Sequence, residues 1–246
     1  MKSNSEFWPD THMKKPSHPF VDLLISIVLP SVILMKFSGE NALGSVGGLL
    51  VALSLPLMWG LVELVRYKKR NWIAVLGLVS VLLTGGIGLL KLDTQWLAVK
   101  EAAIPAIIGI GVYISAYTKK PLMKVLMLNP HVFDVDKIMS ALVSKGMSDT
   151  FEKRLSRATI FLSGTFLFSS VMNYVLAKWI VTSPAGSPAF NEELGRLTLL
   201  SYPMIVIPSM IMMAGIIWYL MRAIRTLCGL SFEDVLVHAD KSGSRD

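Results

Sequence analysis

Asp93, Trp96, Lys100 and Glu101 are gathered in the stretch LTGGIGLLKLDTQWLAVKEAAIP (83–105), and their types and spacing suit the recognition of a charged ligand. A lysine and a glutamate one turn inside an apolar helix would hold an anionic group with the ammonium and orient it with the carboxylate. Asp93 and Trp96, just ahead of them, would complete a contact for a substrate or a lipid. The same residues have a purely structural reading. Asp93 would cap the helix, Glu101 would lie near the positive end of its dipole, and Lys100 would snorkel outward or bridge back to Asp93. Adjacent helical side chains diverge by about 100°, so Lys100 and Glu101 are not expected to pair with each other.

Nothing else in the chain adds up to a catalytic constellation. There is no glycine-rich phosphate loop ahead of a Lys-Ser or Lys-Thr, no GxSxG, no HExxH and no DxD-type metal pair at membrane depth. His12, His18, His131 and His238 all lie outside the apolar segments. The single cysteine, Cys228, excludes an intramolecular disulfide and a thiolate metal cluster. The expectation is a protein that is not an enzyme, with no catalytic residue, no cofactor and no metal.

The elements that must position the charged pair are apolar. Of the 246 residues 53% are hydrophobic and only 17% charged, and the mean hydropathy is +0.57, which points to a bilayer as the main solvent. The net charge of +7 does not argue for nucleic acid as a partner, because the basic residues fall in clusters between apolar runs. Six segments, 20–37, 42–65, 71–90, 97–117, 157–181 and 199–221, approach the ~20 residues that cross a hydrocarbon core of ~30 Å. They lack the alternation of barrel strands and so read as helices. The fold expected is an all-α integral membrane protein with six transmembrane helices.

Loop charge orients these spans. All of the 24 Lys and Arg except Lys36, Lys91, Lys100, Lys178 and Arg196 fall in the N-terminal tail, the 66–70 turn (RYKKR), the 118–157 connection or the C-terminus. Positive residues favour the cytoplasmic side, which puts both termini inside. Tyr67, Trp72, Tyr117 and Trp218 then mark the inner interface, and Trp96 and Trp179 the outer one. Among the acidic groups, Asp22 and Glu63 lie near inner helix ends, with Arg66 placed to pair with Glu63.

Five regions follow from this topology. A polar cytoplasmic tail (1–19) with no signal peptide leads into a four-span core (20–124). A cytoplasmic amphipathic linker (125–156) comes next, in which Val135, Ile138, Met139, Leu142 and Val143 recur at helical spacing, as in a helix lying on the inner leaflet. A two-span hairpin (157–221) carries a structured periplasmic loop (182–198), and a second cytoplasmic tail (222–246) ends the chain. In the loop, Ser187 and Pro188 read as N-cap and first helical residue, and Glu192 and Arg196 as an i, i+4 pair.

Within the spans, Gly85, Gly86 and Gly88 on the third helix and Ala102 and Ala106 on the fourth lie at similar depth. Small residues on facing helices permit close approach of backbones, so these two helices are expected to form a tight hairpin. Pro30, Pro56, Pro105, Pro203 and Pro208 interrupt four of the spans, which suits a cavity or moving helices. Ser169, Ser170 and Asn173 of the fifth span are candidates to line it, or to hydrogen-bond between helices.

The pattern of Gly85 and Gly86, Asp93, Trp96, Lys100 and KKPL at 119–122 resembles that of the bacterial intracellular septation protein A family, over residues 72–124. The segment SPAGSPAFNEELGRLT at 183–198 looks like the signature of a longer, six-span group of relatives. Residues 125–246 extend beyond the shared pattern. The resemblance implies a multi-pass protein of the bacterial inner membrane with an envelope-related role, and it brings no catalytic residue or cofactor. Two functions are carried forward: transport or handling of a small solute or lipid, and a non-catalytic scaffold for envelope synthesis or septation proteins. The partners expected are membrane lipids and envelope or division proteins, with no nucleic acid.

Overall fold

A computed structural model of the protein describes residues 24–67, 72–130 and 132–235. The expectations for the N-terminal tail, Asp22, His131 and residues 236–246 lie outside the described residues, as do those for the side chains of Glu63, Arg66, Tyr67 and Trp72. The described chain is helical, with no strand among the described residues. A π-helical turn, Leu24–Val28, runs into α1 (Leu29–Lys36), followed by α2 (Gly44–Tyr67), α3 (Trp72–Leu89) and α4 (Gln95–Ser115). Then come α5 (Leu122–Met127), α6 (Val135–Ser144) and α7 (Ser148–Ile180). The chain continues through α8 (Pro188–Ser201), a second π-helical turn (Tyr202–Val206), α9 (Ile207–Cys228) and α10 (Phe232–Val235).

Three runs among the described residues, Gln95–Ser115, Ser148–Ile180 and Pro188–Cys228, are long and apolar enough to cross a membrane; Gly44–Met58 and Val75–Leu89 are shorter apolar helices. Their outer faces carry exposed apolar stripes, such as Ile107, Ile110 and Ile114 on α4 and Leu167, Val171 and Val175 on α7. These repeat at helical spacing and suit lipid rather than water.

Two of the long runs exceed their predicted spans. Helix α7 starts at Ser148 rather than near 157, because its polar first turns bury Phe151 and Leu155 against neighbouring helices. The last run is helical from Pro188, well before 199, and continues to Cys228. Pro203 lacks the amide that a regular helix needs, and the π-helical turn around it absorbs the defect without ending the run.

The helices α4 and α7 lie along each other more extensively than any other pair, α1 packs on α8 and α2, α3 packs on α2, and α9 packs on α7. The packing thus interleaves the predicted four-span core with the predicted two-span hairpin. Close approach explains the dominant pair: a Cβ on Gly109 of α4 would stand 2.9 Å from Phe166 Cβ of α7, and Ser170 Oγ donates to the Ala102 carbonyl at 2.8 Å.

The tight seam expected between α3 and α4 is corrected by this arrangement. Gly85 faces Leu53 of α2, Gly88 faces Leu49 of α2 and Phe190 of α8, and Gly86 has open space where a side chain would begin. Ala102 meets α7 through its carbonyl, and Ala106 is half-buried on α4. Small residues do bring helices together here, but depth along two consecutive spans does not determine which neighbour each one meets.

Apolar packing concentrates at the two ends. At the end rich in basic residues, Met123, Met127, Ile138, Leu142, Phe151, Leu155, Leu220, Ile224 and Val235 form one buried cluster. The amphipathic linker is therefore not a helix resting only on a leaflet. Ile138 and Leu142 of α6 are buried against α7, α9 and α10, which leaves Met139 and Val143 exposed. Asp134 caps α6 by accepting from Lys137 N at 3.0 Å, and Lys145 Nζ ties α6 to α9 through the Cys228 carbonyl at 2.8 Å.

At the opposite end, Leu49, Ile87, Leu97, Phe190, Leu194 and Ile205 form the second cluster. The 182–198 segment covers it. Ser187 Oγ accepts from Phe190 N at 3.1 Å with Pro188 as the first helical residue, and Glu192 pairs with Arg196 at 2.6 Å. The Glu193 carboxylate accepts from the amides and hydroxyls of Thr182 and Ser183. Buried Asn191 donates to Ser38 Oγ at 3.0 Å and to the Ser45 carbonyl at 2.7 Å. Gly186, at φ +84°, rests where a Cβ would come 3.1 Å from the Gly88 carbonyl, so the loop can close on α3 only through glycine. Removal of the cap in Ser187→Ala is expected to cost about 1 kcal/mol of stability, read as a lower unfolding midpoint of the purified protein.

Candidate functional site

The turn ahead of α4 sets the position of the charged pair. Asp93 Oδ1 accepts from Gln95 N at 2.8 Å and the Asp93 carbonyl accepts from Trp96 N at 3.0 Å, which fixes the first turn of the helix. Asp93 is exposed and Trp96 is 58% exposed, and neither lines the interior. One turn further in, Lys100 points into the bundle.

Lys100 is only 9% exposed. Its ammonium donates to Thr84 Oγ1 at 2.8 Å and to Ser80 Oγ at 3.2 Å, both on α3, and pairs with Glu101 Oε1 at 2.6 Å. The expectations that Lys100 would snorkel outward or bridge to Asp93, and that it would not pair with Glu101, are corrected. A cation removed from water needs a counter-charge, and the flexible arms of both residues overcome their angular separation on the helix. Thr84 Oγ1 itself donates to the Ser80 carbonyl at 3.0 Å, which leaves its lone pairs for the ammonium.

These side chains border a cavity of about 390 Å³. Ser31 comes from α1, Pro56 from α2, Ser80 and Thr84 from α3, Lys100 and Glu101 from α4, Asn173 from α7, and Thr198 and Ser201 from α8. Tyr202 of the second π-helical turn and Ile27 of the first also line it. Both breaks in regular helix geometry among the described residues thus border the cavity, the setting in which π-helical turns commonly serve binding.

The polar lining is unevenly satisfied. Thr198 and Ser201 donate to their own helix, at the Leu194 and Leu197 carbonyls, and keep acceptor capacity. Ser31 Oγ is buried and has no hydrogen-bond partner. An unmet hydroxyl and a buried cation lining the same cavity suit a ligand with oxygen atoms. Of the three residues predicted to line a cavity, Asn173 does so, while its amide donates to the Ser169 carbonyl and hydroxyl at 2.8 and 3.3 Å. Ser169 is engaged in that contact and Ser170 in the bond to α4. Sequence reasoning missed Ser31, Ser80, Thr84, Thr198, Ser201 and Tyr202. Ser80 and Thr84 carried a usable signal, as the two hydroxyl residues of apolar α3 at i, i+4 spacing.

The site holds one cation, one carboxylate and several hydroxyls, an arrangement that binds and orients. Among the described residues, no group of three or more His, Cys, Asp or Glu side chains comes together to hold a metal. The fold and site define an all-helical membrane protein with a partly open cavity between its helices, bordered by polar side chains. No known protein family, no curated protein and no solved structure matches the chain.

Proposed function

We propose that the protein binds a small anionic solute, or the anionic head group of a lipid, in this cavity and handles it in the cell envelope by transport or transfer. The observation that carries this reading is Lys100, a buried cation aimed into a cavity bordered by an unpartnered hydroxyl. The anion displaces Glu101 from the ammonium and takes hydrogen bonds from the hydroxyls of Ser31 and Ser80, while the Thr84 hydroxyl stays committed to the Ser80 carbonyl. Six spans with both termini in the cytoplasm fit the distribution of basic residues, and they put the start of α4 on the outer side. The resemblance of residues 72–124 to the septation protein A family supports a bacterial inner membrane location.

Glycerol 3-phosphate serves as a probe that combines phosphate and hydroxyl groups. Thermal unfolding of the purified protein is expected to shift upward with its concentration, and the shift is expected to vanish in Lys100→Gln. Equal shifts in the two proteins contradict the reading. A second reading, a scaffold for envelope synthesis proteins, is supported by the ordered basic end, where Leu126, Val132 and Val143 are exposed. Crosslinks from Val143 that recover protein rather than lipid would favour it.

A further inference from the structure

A second recess lies between α7 and α9, and its lining shares no residue with the central cavity. It has a volume of about 540 Å³ and is lined by Ile160, Phe161, Gly164 and Thr165 of α7 and by Met212, Gly215, Ile216, Trp218 and Tyr219 of α9. Its origin is simple. Gly164 and Gly215 have nothing within 4 Å of where a Cβ would stand, so the two helices leave a trough between them. Phe161 and Tyr219 meet edge to face across it, with ring centroids 5.6 Å apart. Thr165 Oγ1 donates to its own helix at the Leu162 carbonyl, so it offers the trough no donor. The trough is apolar and lies on the flank of two helices long enough to cross a membrane.

One end of it is strongly basic. On α7 the trough residues Ile160, Phe161 and Gly164 continue at helical spacing into Arg157 and Lys153, which line a shallow recess sharing Ile160 with the trough. On α9, Gly215 and Tyr219 continue into Arg222, whose guanidinium carbon lies 5.6 Å from the centroid of the Trp218 ring. The helices run antiparallel, and both continuations lead toward the same buried cluster of Leu155, Leu220 and Ile224. Arg157 and Arg222 therefore lie at the same end of the trough, one on each helix. The acidic residues of the shallow recess lie further along α7: Glu152 is paired with Lys124, and Asp149 is about 16 Å along the helix from Ile160.

We propose that this trough binds one anionic glycerophospholipid from the leaflet at the basic end. An acyl chain fills the space over Gly164 and Gly215, Trp218 and Tyr219 lie at head-group level, and the lipid phosphate bridges Arg157 and Arg222. Guanidinium groups match phosphate oxygens through paired N–H donors, which a zwitterionic head group shields with its own cation. The apolar length and the charged mouth together fit a lipid; a soluble anion would use only the mouth, and a partner helix would not need the arginines.

Native mass spectrometry of the full chain with equal phosphatidylglycerol and phosphatidylcholine tests the site. The native chain is expected to retain one phosphatidylglycerol in clear preference. Arg157→Gln/Arg222→Gln is expected to lower that preference roughly thirtyfold, the combined worth of two interfacial cations. Lys119→Gln/Lys120→Gln, which removes the same charge from the basic end outside the trough, is expected to preserve it. Gly164→Leu/Gly215→Leu fills the open trough without altering charge and favours helix, and it is expected to remove the adduct from a folded protein. Equal retention of the two lipids by the native chain, an undiminished adduct in the glycine variant, or equal losses in the arginine and lysine variants would overturn the assignment.

Discussion

Replacement of Lys100 by glutamine is expected to weaken anion binding in the central cavity about a hundredfold while leaving the protein folded. A buried charge-assisted hydrogen bond is worth about 1.5 to 3 kcal/mol, and loss of the only cation among the described residues that line the cavity removes one at the point of contact. Glutamine is one atom shorter than lysine but keeps amide donors directed at Thr84 and Ser80, so a shorter-armed α3–α4 connection without the charge is expected to persist. Glu101 is 28% exposed and borders an open cavity, so water takes over part of its solvation when the ammonium is gone. Glu101→Gln should act in the opposite direction. It frees the ammonium from its competitor and is expected to raise affinity for glycerol 3-phosphate. Titration of thermal unfolding in the three proteins checks the pair of signs; a fall in both variants would make the ion pair a structural strut.

Valine in place of Gly195 is expected to destabilise the protein by about 3 kcal/mol, the upper part of the range for overpacked sites. Gly195 lies on α8 where it meets α1. A Cβ there would stand 2.8 Å from the Ser31 carbonyl oxygen and 2.6 Å from Met35 Cγ. The methionine can move aside, but the carbonyl belongs to the backbone of α1 and can yield only if the helices separate. Ser31 also borders the cavity, so the substitution should reduce binding of the probe as well as stability. Gly164→Ala provides the contrast. Its Cβ meets open space, so the change is expected to leave stability level or raise it by up to about 1 kcal/mol. Unfolding midpoints in detergent separate the two, and equal effects would contradict the close contact of α1 with α8.

Local chemistry in the sequence reached further than its long-range geometry. Ser187, Pro188, Glu192 and Arg196 formed a readable helix start, because capping and i, i+4 pairing depend only on neighbours in the chain. The amphipathic spacing of Ile138 and Leu142 identified a buried face, but a buried face does not name what covers it, and helices rather than lipid proved to do so. Gly85 and Gly88 were legible as sites of close approach, while their partners on α2 were not. The same limit applies to the site. Lys100 and Glu101 stood out by charge, whereas Ser31 and Ser201 are single hydroxyls from distant segments that only the packing of α1 and α8 brings beside them. The pairing of Lys100 with Glu101 followed from burial, which helical angles alone do not report.

In the proposed function Lys100 commands a cavity open to an anion, and one labelling rate tests this most directly. Ser201→Cys in a Cys228→Ala background places a single thiol on the cavity lining, away from the hydrogen bonds of Lys100. Its reaction with an anionic sulfonatoethyl methanethiosulfonate is predicted to proceed in the folded protein, to slow at least about tenfold when Lys100→Gln is added, and to be protected by glycerol 3-phosphate. A thiol that reacts only after unfolding, or at a rate indifferent to both Lys100 and the probe, would contradict it.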